Sequence, residues 1–546
     1  GRIMGKKTTR YFSTGAALAN VIQTQTAPND AKFERRAFVS SVIKYCLDGN
    51  YTAKVGLVFG LRSTGKTVGM LQAAEELMEK GHEVAYARFT YDNADIQSVN
   101  DEIERLAKQG VTHFFLNEAP YVIGCLNGCA AWADTLVPDN RIKIVISGTD
   151  NFELWLTMDR ALYHRYVRFP TNRNSFAEFN RVLGQSYDEY KTSGGVFSSN
   201  DEAGVAESVI STETNAASAM ERFVQSAVVN NLVRALKHCD ENPGAKGDYY
   251  KRLFGVDETV IFKAIISILE ATVAGPIRKN FILDFDGRNM PGLGEASSRR
   301  TKQDKRDVKE RIAESLSVYE EFQKIQEPGG TIDALTEFLI RIGCLVESST
   351  GASDLTRGRR ALYFAHNALM NFAVQETKAA ILTLTNIKQR RFVDALEQAA
   401  EGSLNANIVY CHLLLSLKGK DKLFRYHDPL GREIDAALVN RETKKVILVE
   451  VKSKSKIDKA HFHANEAKHL LNREILETIG IDGSFAVRRV VVYKGEEDYA
   501  YKYGNIVLFS NIENFLRRYF DIGAYIDEQV IEIEDRLKSQ KRAMPQ

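Results

Sequence analysis

The chain has 546 residues, with 73 Lys and Arg against 71 Asp and Glu and a formal net charge of +2. That balance offers no global electrostatic case for nucleic acid, so any such contact has to come from local sites. At 44% hydrophobic and 26% charged, with no apolar run approaching the ~20 residues that span a bilayer, the sequence excludes a membrane protein and implies several globular domains.

Six cysteines (Cys46, Cys125, Cys129, Cys239, Cys344 and Cys411) are scattered without metal-ligand spacing, and the opening GRIMGKK carries no apolar signal core. Reduced thiols and a cytoplasmic location are the expectation. In chain order, residues 1–50 read as a helical segment, because Phe33, Phe38, Val42 and Tyr45 recur at helical spacing within Asp30–Leu47. Next comes KVGLVFGLRSTGKT, Lys54 to Thr67, an apolar strand running into GxxxxGKT and then a helical pattern closed by Gly81. Gly60 and Gly65 let the backbone curl around an anion, while loop and helix N–H groups from Leu61, Arg62, Ser63, Thr64 and Val68 hold phosphates. Lys66 adds a point charge toward the β and γ phosphates, and Thr67 offers a hydroxyl to Mg²⁺.

Strand-like runs follow at Glu83–Phe89, Val111–Leu116 and Ile142–Ser147, the alternation of a mostly parallel α/β sheet. THFFLNEAP ends in Asn117 and Glu118, at the carboxyl end where ligands sit in such sheets, and reads as a Walker B strand. Asn117 stands where an Asp usually holds Mg²⁺ through water. Glu118 is the only carboxylate there, so either it takes over the metal shell as well as orienting water, or hydrolysis is slow. ISGTDN then sets Ser147, Thr149 and Asp150 where a polar group senses the γ-phosphate, and Arg160 or Arg165 is placed to act as an arginine finger in the same or a neighbouring subunit.

The order GLRSTGKT, FLNEAP, ISGTDN, HRYVRFPTNRNSFAEF resembles prokaryotic P-loop ATPases of the AAA+ and STAND type, most clearly over residues 30 to 185. The resemblance implies an ASCE-type ATPase domain over 51–190, ATP with Mg²⁺, an Arg like Arg165 and an acid like Glu178. It also implies a helical lid within 191–300, where Met220–His238 and Asp257–Ala274 are helical in pattern and Ser193–Ser218 reads as a mobile insertion. The basic run Ser297–Ile312 is either a solvated helix face or a nucleic-acid contact. Within 301–380, TIDALTEFLIRIGCLVES, a charged turn at Arg357–Arg360 and ALYFAH resemble a winged helix, a fold used for DNA binding and for protein contact.

Residues 385–546 hold a second constellation. REIDAALVN, a polar turn at Arg441–Lys444 and KVILVEVKSK form a hairpin whose simplest register sets Asp435 opposite Glu450 and Glu433 opposite Lys452. One face gathers those four side chains and continues as Ala437, Val439, Val446 and Leu448. Carboxylates grouped beside apolar residues are costly without a cation, and oxygen ligands favour Mg²⁺ or Mn²⁺. Asp, then Glu-x-Lys on the next strand, resembles the PD-(D/E)XK nuclease core, with helices at Val393–Leu417 and Ile457–Ile479 and a returning strand at Arg488–Tyr493. The resemblance implies that Asp435 and Glu450 hold the metal, Glu433 beside them, while Lys452 positions or deprotonates the attacking water. Ala406 stands where that family often has an acid on the first helix; His461, His463 and Lys468 are candidates for an auxiliary role, and His461, His463 and His469 read as helix-surface or outer-sphere residues rather than zinc ligands.

Taken together, the expectation is an α/β ATP-binding switch governing a DNA nuclease-like domain, assembling as a nucleotide-dependent homo-oligomer, with a protein partner possible at the winged helix. The alternative is a signalling or scaffold ATPase whose C-terminal domain only binds. A translocating motor is disfavoured by Asn117.

Overall fold

The computed structural model describes residues 10–27, 32–51, 54–61, 64–90, 94–148, 162–163, 165–171, 174–194, parts of 224–256, 257–286, 331–348, 361–385, 390–428, 430–454, 467–503 and 505–543. Outside the described residues lie Arg62, Ser63, Thr149, Asp150, Arg160, His461, His463, the basic run Ser297–Ile312, the turn Arg357–Arg360 and nearly all of Ser193–Ser218.

Six strands build the first sheet: β1 (Ser13–Thr14), β2 (Val55–Phe59), β3 (Val84–Arg88), β4 (His113–Asn117), β5 (Lys143–Gly148) and β6 (Tyr166–Pro170). Their order is β1-β3-β4-β5-β2-β6, parallel throughout except for the antiparallel β1 at the edge. Every residue of β2, β4 and β5 is buried, because core clusters pack on both faces of the sheet and leave no solvated side for alternation to mark. The three strand expectations hold to within a residue or two.

Two corrections concern the amino-terminal segment. β1 pairs with β3, so this segment completes the ATPase sheet rather than standing apart. Of the helix expected over Asp30–Leu47, the described part is helical only over Val39–Leu47. Upstream of it the side chain of Gln72 takes the backbone bonds instead, accepting from Arg36 N–H (3.0 Å) and donating to the carbonyls of Phe33 and Glu34 (3.2 and 2.9 Å). The segment is thereby laid along the helix Lys66–Glu79, where a Cβ on Gly69 would lie 2.1 Å from the Phe38 ring.

In the middle, helix Glu258–Asp286 packs chiefly against helices Thr331–Arg341, Asn367–Thr385 and Arg390–Ser416. The lid expected there is therefore part of a helical layer continuous with the core that includes Trp132 and Ile103. Strands β7 (Leu345–Glu347) and β8 (Leu362–Phe364) form a two-stranded antiparallel ribbon between two of those helices.

The C-terminal sheet contains β9 (Lys422–His427), β10 (Glu433–Asn440), β11 (Lys445–Val451), β12 (Ala486–Tyr493), β13 (Tyr499–Tyr503) and β14 (Asn505–Asn511), ordered β13-β14-β12-β11-β10-β9. β11, β12 and β14 are parallel; the outer pairings are antiparallel. Helices Arg390–Ser416, Ile512–Arg517 and Ile522–Ala543 cover one face, and Arg473–Ile479 covers the other. Of the helix expected over Ile457–Ile479, the described part is helical only from Arg473, capped by Asn472, whose side chain accepts from Glu474 and Ile475 N–H.

The boundary at residue 190 does not separate two cores. Phe176, Phe179, Tyr187 and Tyr190, on the short helices Phe176–Leu183 and Tyr187–Ser193 that follow β6, belong to the apolar cluster of the C-terminal sheet.

Candidate functional site

The phosphate loop leaves β2 at its carboxyl end, and Gly65, at φ 79°, turns the chain into the helix beginning at Lys66. A non-glycine residue there would be strained, and its Cβ would fall 1.7 Å from Arg36 Nη1. Lys66 is buried, and its ammonium donates to the carbonyls of Gly60 (2.9 Å) and Leu61 (2.7 Å), which holds the charge inside the curve of the loop. Thr64 is fully buried, donates to Leu61 O (2.8 Å), and shares a 2.6 Å bond with the hydroxyl of Thr171 beyond β6. Val68 lies half-buried in the first turn of the helix.

β5 separates β2 from β4, so Ser147 stands between the two Walker strands as expected. Asn117 is fully buried, and its amide joins three hydroxyls: Nδ2 donates to Thr67 Oγ1 (3.0 Å) and Tyr86 OH (2.9 Å), and Oδ1 accepts from Ser147 Oγ (2.7 Å). An aspartate here has no proton to donate, so both outer hydroxyls would have to reverse, and a buried carboxylate would need a cation. Asn117→Asp is expected to destabilise the nucleotide-free protein by about 1–3 kcal/mol, with the loss recovered on adding Mg²⁺ and ATP, as read from melting curves with and without them. Tyr86 is held protonated, its phenol pushed up to about 12 chiefly by burial. Next to Asn117, Glu118 takes the left-handed conformation (φ 59°), which a non-glycine residue adopts at a cost and which concentrates at functional sites.

Arg165 is not where an arginine finger for its own subunit needs to be. Its carbonyl accepts from Val55 N–H (3.0 Å) at the amino end of β2, and its guanidinium pairs with Asp134 and Leu162 O. The loop lies at the other end of a five-residue strand, roughly 16 Å away at ~3.3 Å per residue. Glu178, matched by resemblance alone, instead forms a buried pair with Arg36, Nε to Oε1 at 2.8 Å. Arg36 also donates to Thr64 O (2.6 Å) and Asn174 Oδ1 (2.7 Å). The sequence gives no signal for this residue beyond the doublet Arg35-Arg36 ahead of an apolar helix.

At the C-terminal sheet the expected hairpin register is observed. Pairs run from Asn440↔Lys445 to Ala436↔Val449, so one further step sets Asp435 opposite Glu450. Lys452 donates to Glu450 Oε1 (2.8 Å), and Val451 N–H donates to Asp435 Oδ2 (2.7 Å). Burial raises both carboxyls above the ordinary carboxylate range; Glu433 adds to the effect at Asp435, and Asp435 and Glu433 add to it at Glu450, against the opposing pull of Lys452. Glu450 Oε2 is buried and accepts no hydrogen bond. Burial, with Lys468 and Lys452 adding to it, pulls His469 below the ordinary imidazole value against the opposing pull of Glu433 and Asp428.

The continuous row of side chains expected from strict alternation is broken. Between Ile434 and Ala437 the pairing of β10 with β9 slips by one residue, so Asp435 and Ala436 together oppose Arg425. Ile434 consequently joins Ala437 and Val439 in one apolar cluster, while Ala436 faces the other. The bulge re-aims Asp435 toward the backbone of β11. Glu433 is turned to Arg425, Nη2 to Oε2 at 2.9 Å, and among the described residues no three His, Cys, Asp or Glu converge as a metal set. On the helix that lacks the acid at Ala406, Glu401 is paired with Lys191 (2.8 Å) and with Lys494 just beyond β12.

No helix among the described residues is long and apolar enough to cross a membrane. No curated protein matches the sequence. Residues 52–180 match a family model described as an AAA domain. That segment includes Gly60, Lys66, Thr67, Asn117, Glu118 and Ser147, and excludes Arg36 and the C-terminal sheet. With the GxxxxGKT loop at the end of β2 and a parallel sheet in which β5 divides the two Walker strands, the match establishes that the chain carries an AAA-type P-loop ATPase domain, a module that binds ATP.

Proposed function

We propose that this chain is an ATP-binding switch whose nucleotide state governs a metal-dependent, nuclease-like site on the C-terminal sheet, with DNA as substrate. The observation that carries the second half is the closeness of Asp435, one step beyond the pair Ala436↔Val449, to Glu450, with Glu450 Oε2 buried and accepting no bond. Such an oxygen fits a divalent cation, and the all-oxygen donor pair favours Mg²⁺ or Mn²⁺. The cation would supply Lewis acidity to a phosphodiester. Asp435, fixed by Val451 N–H, and Glu450, steadied by Lys452, would hold it, and Lys452 would take a proton from the attacking water. In the ATPase half, Thr67 and Glu118 are the residues offered to Mg²⁺, Lys66 to the phosphates, and Ser147 to the γ-phosphate through Asn117. Nucleotide-dependent self-assembly, and a winged-helix role for the elements around β7 and β8 in contacting DNA or a protein, belong to the same proposal.

The test is cleavage of linear and circular DNA with Mg²⁺ or Mn²⁺, with and without ATP. Asp435→Ala is expected to abolish cleavage and Mn²⁺ binding. Because the metal must displace the proton that burial favours on Glu450, Mn²⁺ binding should tighten as pH rises through that raised value and level off above it. In the metal-free protein the sign is opposite: the stability gained from a neutral Glu450 is present below the ordinary carboxylate range and lost as pH rises. Absence of cleavage under every condition, with Mn²⁺ binding indifferent to Asp435→Ala, would sink the nuclease reading. A scaffold whose C-terminal sheet only binds is the second reading, and one observation favours it: Glu433 and Glu450 already have protein partners in Arg425 and Lys452.

A further inference from the structure

Arg36 is buried to 2% exposure and its guanidinium touches three separate pieces of chain: the Thr64 carbonyl in the phosphate loop, Asn174 after β6, and Glu178 on helix Phe176–Leu183. Glu178 also accepts from Ala37 N–H (2.7 Å), so acid, loop and amino-terminal segment form one knot. Tyr190 OH donates to the Asn174 carbonyl (2.6 Å), bringing the next helix into it.

The far side of this knot meets the C-terminal sheet through helix Arg390–Ser416, and a second contact runs to helix Ile512–Arg517, where Arg517 Nη1 donates to Asn180 Oδ1 (3.0 Å). Phe176 N–H donates to His412 Nε2 (2.9 Å); Nδ1 of the same ring, 2.8 Å from Ile408 O, therefore carries the proton. Burial holds His412 neutral, as an accepting Nε2 requires. Tyr187 OH donates to Asn405 Oδ1 (2.7 Å), and Lys191 to Glu401 (2.8 Å). Glu401, Asn405 and His412 are spaced four and seven apart, which puts them along one face of helix Arg390–Ser416. That helix packs on β10 and β11, the strands bearing Asp435 and Glu450.

We propose that Arg36 is the positioning residue that transmits phosphate occupancy of the loop to helix Arg390–Ser416. The loop peptide at Thr64 is the part of the relay that a phosphate can redirect, since the N–H groups of such a loop are its phosphate donors while the Thr64 carbonyl is held by Arg36. A shift of that carbonyl reaches Glu178 and Asn174 through a rigid guanidinium fork, and through the Phe176 N–H and Tyr187 contacts it reaches His412 and Asn405. Lysine is not equivalent, because its one nitrogen cannot occupy the separate Nε, Nη1 and Nη2 positions from which the guanidinium meets Glu178, Thr64 and Asn174. The inference rests on the switch proposed above, and it does not depend on whether DNA is cleaved.

The test is hydrogen exchange of backbone amides in 401–416, with and without ATP at saturation, in wild type, Arg36→Lys and Tyr187→Phe, with a fluorescent ATP analogue reporting binding separately. In wild type, ATP is expected to change exchange across 401–416. In Arg36→Lys the analogue still saturates and the change at 401–416 is lost. Tyr187→Phe, remote from the loop, is expected to leave analogue affinity unaltered and to diminish the change, which guards against Arg36→Lys failing to fold. An undiminished ATP response in both variants would overturn the relay while leaving the switch standing. A wild-type protein that binds the analogue and shows no change at 401–416 would overturn both.

Discussion

Lys66→Ala is expected to lower ATP affinity on the order of 100-fold while leaving the ATPase fold intact. The buried ammonium donates to the carbonyls of Gly60 and Leu61, both neutral acceptors within the loop, so a phosphate that replaces them gains charge-assisted bonds. One or two such bonds at about 1.5–3 kcal/mol each carry roughly two decades of affinity at 1.4 kcal/mol per decade. The measurement is the melting-temperature rise produced by Mg²⁺ and ATP, which follows the ratio of ligand to dissociation constant. Wild type should show it, and Lys66→Ala should show almost none at the same concentration. An undiminished shift would mean that the nucleotide is held elsewhere.

Glu178→Ala should be the more damaging change to stability. It removes the carboxylate paired with Arg36, which is 2% exposed, while the neutral acceptors Thr64 O and Asn174 Oδ1 remain. Removing one partner of a buried pair typically costs about 3–5 kcal/mol, far more than the pair adds over well-packed apolar residues. Burial already pulls the Arg36 guanidinium below its usual value despite the neighbouring carboxylate. Denaturant unfolding should therefore place Glu178→Ala well below wild type. The paired change Arg36→Met with Glu178→Leu should recover most of the loss, because it removes both charges. A single mutant as stable as wild type would show that the pair is not closed in solution.

The ATPase half is legible because its signals are contiguous. Strand, loop and helix occupy one run from Lys54 to Glu79, and each step is dictated by near neighbours. The hairpin register is legible for the same reason: a four-residue turn, Arg441–Lys444, with Lys444 at φ 51°, fixes which residues of β10 and β11 face each other. What escapes is set by distant chain. The bulge at Asp435 exists only in the pairing with β9, so nothing within REIDAALVN marks it. Arg36 finds Glu178 across 142 positions, and Phe176 finds His412 across 236. The expected helix over Asp30–Leu47 fails at its first half because Gln72, 36 residues on from Arg36, satisfies that backbone. Asn117 reads in sequence as a weakened metal ligand, whereas the fold uses its amide as a three-way junction that no carboxylate reproduces without rearrangement.

The aromatic quartet Phe176, Phe179, Tyr187 and Tyr190 decides where this polypeptide can be cut. A fragment ending near residue 190 would carry four rings, each normally burying on the order of 150–250 Å², into water beside Arg36 and the phosphate loop. That patch exceeds the several hundred Å² that soluble monomers tolerate. A fragment beginning near 385 would lose the same rings from its own interior. Neither half is a portable module, and gene shuffling that exchanged one C-terminal sheet for another would have to bring residues 174–193 with it. The inheritable unit is the ATPase together with the surface it has sunk into its neighbour.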